Sequence, residues 1–154
     1  MIRITRQTDY GILLLAHMAG RPASEVHTSK NAAQQSNIPL PMASKILKAL
    51  AKGGLLVSQR GVKGGYRLAA LPEHISIGDV IRALEGPIGL TECSAHPGSC
   101  EREGSCAVQT NWKRINLAMR EALDRIPLSD MVVPHVLRPD VRLLTVSSQS
   151  ARPL

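Results

Sequence analysis

Apolar residues crowd the first twenty positions: Ile12, Leu13, Leu14, Leu15, Ala16, Met18 and Ala19 leave residues 5–20 with almost no polar face. A helix that is apolar on most sides belongs inside a fold or a dimer, and Gly20 and Pro22 end it. A shorter helix is predicted over 28–36, with Thr28 as N-cap and Ala32-Ala33 allowing close packing. Asn37-Ile38-Pro39 makes the turn into a third helix, where Pro41 suits the first helical position. Ala43, Ile46, Leu47 and Leu50 fall on one face of that helix at helical spacing. Lys45, Lys48 and Lys52 fall on the other, and Gly53-Gly54 stops it.

The period then changes. Leu55–Arg60 and Tyr66–Leu68 read as two short strands around the glycine-rich turn Gly61-Val-Lys-Gly-Gly65, a β-hairpin with Arg60, Lys63 and Arg67 at or near its tip. Ser76-x-x-Asp79 resembles a capping box and opens a helix with Ile77, Val80, Ile81 and Leu84 on one face, ended by Gly86-Pro87. A loop follows, and then a long helix over about 106–126. In it Val108, Trp112, Ile115, Met119, Ala122 and Ile126 repeat at intervals of four and three, a seam for a second helix. The expected units are 1–86, a winged helix–turn–helix; 87–105, a cysteine loop; 106–133, a dimerisation helix with a short following segment; and 134–154, a flexible tail. The fold class is mainly α with a small β-hairpin.

Helix, helix, turn, helix and hairpin is the element order of a DNA reader, and charge agrees with it. Of the 19 Lys and Arg, ten lie in residues 1–70 with only two acids, whereas residues 71–154 hold nine against ten acids. A basic first half on a neutral remainder points to a polyanion partner. In this geometry the amino-terminal residues of the recognition helix reach base edges, which nominates Pro41, Met42, Ser44 and Lys45. Lys48, further along, meets phosphate. Arg60 suits a narrow minor groove, with Lys63 beside it.

At 154 residues the chain can bury a real core without staples. It has no Phe, so aliphatic side chains must fill that core. No signal peptide pattern is visible, and the apolar run is too short to span a bilayer. A cytoplasmic protein with reduced thiols is expected. No phosphate-binding glycine loop, HExxH or nucleophile elbow is present, so an enzyme with a small-molecule substrate is not expected.

Cysteine chemistry is therefore the remaining question. Cys93, Cys100 and Cys106 are the only cysteines, and they share one Gly-, Pro- and Ser-rich stretch as C-x6-C-x5-C. Three thiols can neither pair off completely nor close a four-coordinate site alone. The spacing is wide for structural zinc, which favours pairs about two to four residues apart. An iron–sulfur cluster tolerates varied spacing, and a thiol redox switch stays open beside it. His96, Glu92, Glu101 and Glu103 flank the thiols. Asp9 sits in a first helical turn, where the helix dipole alone would stabilise it.

Taken together, Ile4-Thr-Arg-Gln-Thr-Asp-Tyr-Gly11, Arg60-Gly-Val-Lys-Gly-Gly-Tyr-Arg-Leu68, Ile75–Gly86 and the three cysteines resemble the winged-helix family of bacterial regulators that includes IscR and the nitric-oxide sensor NsrR. Thr91-Glu-Cys93 and Asn111–Asn116 are most similar to the branch that regulates the SUF iron–sulfur assembly system. The resemblance implies a homodimer on promoter DNA, joined through Val108, Trp112, Ile115 and Met119. It also implies a 2Fe–2S or 4Fe–4S cluster on Cys93, Cys100 and Cys106, with Arg60 entering the minor groove. Where one branch has a histidine ligand this chain has Gln109. The other branch uses an acid from the partner subunit, and Asp9 matches that acid. Ser44 stands where IscR has a glutamate, so the operator need not be shared.

Overall fold

The computed structural model describes residues 4–132; the expected tail, 134–154, lies outside the described residues. Six α-helices and one hairpin follow in order: α1 Arg6–Ala19, α2 Ser29–Gln35, α3 Leu40–Lys52, β1 Leu56–Gln59, β2 Gly65–Leu68, α4 Ile77–Glu85, α5 Glu92–Ala95 and α6 Gln109–Asp124. The starts follow local chemistry. Thr5 and Thr28 cap α1 and α2 by accepting the N–H of the residue three ahead, and Ser76 with Asp79 forms a complete capping box on α4. α3 begins one residue before Pro41 and has no side-chain cap.

Leu14, Leu15 and Met18 of α1, Ala32 and Ala33 of α2, Ala43, Ile46, Leu47 and Leu50 of α3, and Val80 of α4 form one buried cluster. The hairpin closes its edge: β1 and β2 are antiparallel with Leu56 opposite Leu68, and both leucines enter the cluster. A second, smaller cluster joins Ile77, Ile81 and Ile88 to Ile12, Met119 and Leu123, which docks α6 on α4. Arg82 bridges the same two helices, bonding Asp79 at 2.7 Å and Asp124 at 2.8 Å. No helix among the described residues is long and apolar enough to cross a membrane.

Three features differ from the sequence reading. The long helix starts at Gln109, because Cys106 closes a 3-10 turn, Glu103–Ser105, and Val108 is only its N-cap. The cysteine loop contains a helical turn, α5. After α6 the chain turns back: Ile77 N–H donates to Ile126 O, Leu128 N–H donates to Ile75 O at 2.7 Å, and the Leu128 side chain is fully buried in the main core.

The hairpin is pinned at its base by His27, just before α2. Its N–H and C=O pair with Tyr66 of β2, both at 2.8 Å. The backbones approach so closely that a Cβ on Gly65 would collide with the His27 carbonyl, which explains one glycine of the hairpin motif. The imidazole is 2% exposed and meets His17 edge-on at 5.8 Å. Nδ1 has no hydrogen-bond partner, since Glu25 is 3.9 Å away. Burial holds the His27 pKa below its ordinary value; Glu25 opposes this, while His17 and Arg21 reinforce it.

Two predictions follow from this packing. Leu128→Ala removes a fully buried side chain and should lower unfolding stability by about 2–5 kcal/mol; a denaturant midpoint shifted by less than a surface substitution would contradict docking of this segment. For His27 the unfolded chain takes up its proton at higher pH than the folded one. Its contribution is therefore constant above about pH 6.5 and is lost as pH falls below that value, levelling once the folded form protonates. The melting temperature of His27→Gln should fall less between pH 7 and pH 5 than that of the parent chain.

Candidate nucleic-acid interface and cysteine loop

α3 buries Ala43, Ile46, Leu47 and Leu50 and turns its other side to solvent. Pro41, Met42, Lys45 and Lys48 are exposed and Ser44 is half-buried beside them. The face nominated for base and phosphate contact is thus one continuous surface at the amino-terminal end and outer side of α3. Leu55 N–H donates to Leu50 O, so the strand leaves directly from the helix end. The hairpin then carries Arg60 and Lys63 out on its tip, both exposed. Among the described residues none of Lys45, Lys48, Arg60 and Lys63 has an acidic partner. Four uncompensated cations on two adjacent protrusions are suited to bind phosphate.

Cys93 lies in the first turn of α5 and is buried, with Thr91 Oγ1 at 3.3 Å from its sulfur. Cys100 and Cys106 are half-buried, and none of the three is in a disulfide. Glu103 folds the loop on itself by accepting the Gly98 N–H, and it lies 3.8 Å from Lys113 of α6. That is a structural use for one of the acids flanking the thiols. Among the described residues no three His, Cys, Asp or Glu side chains gather closely enough to hold a metal ion. Three thiols on one loop are the donor chemistry of an iron–sulfur cluster. Asp9 is exposed on the first turn of α1, away from any such set in its own chain.

Asn116 was not anticipated as a functional residue. It is 4% exposed. Its Oδ1 accepts the Leu90 N–H at 3.1 Å, and its Nδ2 donates to Ile88 O at 3.3 Å. One side chain on α6 therefore holds the strand of chain that leads into Cys93. The clue in the sequence was its position, three residues before Met119 and seven before Leu123, where a polar residue on an inward face needs partners. Glu85 makes a matching tie at the other side, accepting from Thr5 N–H at 3.0 Å and Thr8 Oγ1 at 2.5 Å. The segment before the cysteines is thereby fixed to both α1 and α6.

α6 shows two apolar stripes. Asn116, Met119 and Leu123 face inward on their own chain. Val108, Trp112 and Ile115 are 50%, 39% and 51% exposed. Met119, expected on the outer seam, packs on Ile77, Ile81 and Ile88 of its own chain and marks the border between the stripes.

Residues 4–134 match the Rrf2 family profile, described as an iron-dependent transcriptional regulator. Protein rrf2 of Nitratidesulfovibrio vulgaris is 30% identical over 85% of this chain and 87% of its own length. The regulator NsrR of Halalkalibacterium halodurans is 30% identical over 85% and 90%. The solved structure of CymR, the global cysteine regulator of Bacillus subtilis, superposes with a TM-score of 0.66 at 32% identity, covering 86% of this chain and 97% of that one. With the hairpin and recognition helix in place, these matches settle the class: the chain belongs to the Rrf2 family and is a DNA-binding transcriptional regulator, not an enzyme.

Proposed function

We propose that this regulator binds promoter DNA as a homodimer and senses iron–sulfur status, oxidative stress or nitric oxide through a cluster on Cys93, Cys100 and Cys106, controlling genes of iron–sulfur assembly. The carrying observation is the loop: three thiols free of disulfides on a segment clamped to α6 by a buried amide. When bound, such a cluster supplies a centre that oxygen, nitric oxide or iron shortage can alter. Asp9 is the candidate fourth ligand, donated to the partner subunit.

The chain's own residues supply the coupling. A group shared by Cys93, Cys100 and Cys106 would fix these three loop positions relative to one another. Any strain so produced passes through Ile88 and Leu90 to Asn116, hence to α6. The exposed stripe Val108, Trp112 and Ile115 suits a helix from a second copy, and its position would set the spacing of the two DNA-reading units. A local change at the loop then biases a global two-state equilibrium.

A second reading is a cluster-free thiol switch on the same fold. The likeness to a protein described as a global cysteine regulator favours it.

Oxygen-free purification separates the two. The cluster reading expects a coloured protein carrying iron and sulfide, and loss of the visible band in each of Cys93→Ala, Cys100→Ala and Cys106→Ala. Colourless protein after reconstitution, with thiol counts that change between reducing and oxidising conditions, would establish the switch instead. For DNA, Lys48→Ala should weaken binding to all sequences and lower the slope of log affinity against log salt by about one. An unaltered slope would remove Lys48 from the phosphate contacts.

A further inference from the structure

The hairpin tip presents one apolar side chain, Val62, that none of the described residues covers. Gly64 N–H donates to Gly61 O at 2.9 Å, closing a tight turn with Val62 and Lys63 at its corners. Both glycines are required: Gly61 has φ of 109°, and a Cβ on Gly64 would lie 2.8 Å from the Gly61 carbonyl oxygen. The turn leaves Val62 107% exposed, against 55% for Leu117, the next most exposed large apolar residue among those described. A β-branched side chain has little rotamer freedom to hide. It is flanked by Arg60 and Lys63, with Arg67 on β2. A partner for this tip must be anionic along its edges and apolar between them.

The minor groove of DNA has that form, with phosphates on the rims and deoxyribose walls within. We propose that Val62 is a specificity-determining contact residue, packing its methyls against the walls and floor of the minor groove beside the entering Arg60, with Lys63 on the flanking phosphate. Apolar side chains are used in minor grooves by other DNA binders. The contact discriminates. A G·C pair places an amino donor on the groove floor that an A·T pair lacks, and valine methyls would both clash with that donor and leave it unpaired. Val62 therefore favours A·T at the base pairs beneath the wing, and its contribution is independent of salt because no counterion is released. The inference rests on the wing entering DNA.

The test uses the full chain and duplexes selected from a random library by the parent protein. Val62→Ala should bind the selected duplex about three- to tenfold more weakly, with an unchanged salt slope, and should relax A·T preference when selection is repeated. Lys63→Ala should lower the slope by about one. Full exposure of Val62 means that the variant keeps its melting temperature. If Lys63→Ala and Arg60→Ala weaken binding while Val62→Ala keeps both affinity and A·T preference, the Val62 assignment is overturned and the wing contact stands. If all three variants bind as the parent does, the wing does not touch DNA and both ideas fall.

Discussion

Leu128 leaves the end of α6 and finishes with no exposed surface, packed with α1 and the Pro72–His74 turn in the core of the DNA-reading unit. Two backbone bonds, Ile77 to Ile126 and Leu128 to Ile75, hold the chain on either side of it. The carboxyl end of α6 is therefore anchored to α4, while Asn116 anchors its middle to the loop. A helix held at two points along its length transmits displacement. A helix joined only through a flexible linker would absorb it.

This arrangement divides labour on α6 by face. The inner stripe packs on the small isoleucine cluster of the same chain. The outer stripe keeps Trp112 and two aliphatic side chains exposed, and an exposed apolar face stabilises little by itself. The polar clamp lies between loop and inner stripe. Removing Asn116 would leave the Leu90 N–H and Ile88 C=O without their partner, a larger penalty than the modest net worth of two hydrogen bonds.

Much of this was legible in the order of residues. Thr28, Ser76 and Asp79 announced helix starts because capping is a local event, and the lysine face of α3 followed from a period of 3.6 residues. The three thiols and their loop were visible as composition. What sequence pattern could not give was long-range. The return of Leu128 depends on a contact with Ile75, some fifty residues earlier, and no local periodicity encodes it. Met119 packs on isoleucines of its own chain, and a four-three repeat looks the same whether its partner is a second chain or the same one. Val62 read as an ordinary turn residue until the two glycines beside it were seen to project it outward.

Asn116 grips peptide groups of Ile88 and Leu90, not their side chains. Backbone atoms are the same for every amino acid except the proline nitrogen. The residues between Leu90 and α6 can therefore drift, gaining or losing a thiol, an acid or a histidine, while the mechanical tie to the long helix persists. One scaffold can in this way be retuned over evolution to different chemical inputs without rebuilding its output.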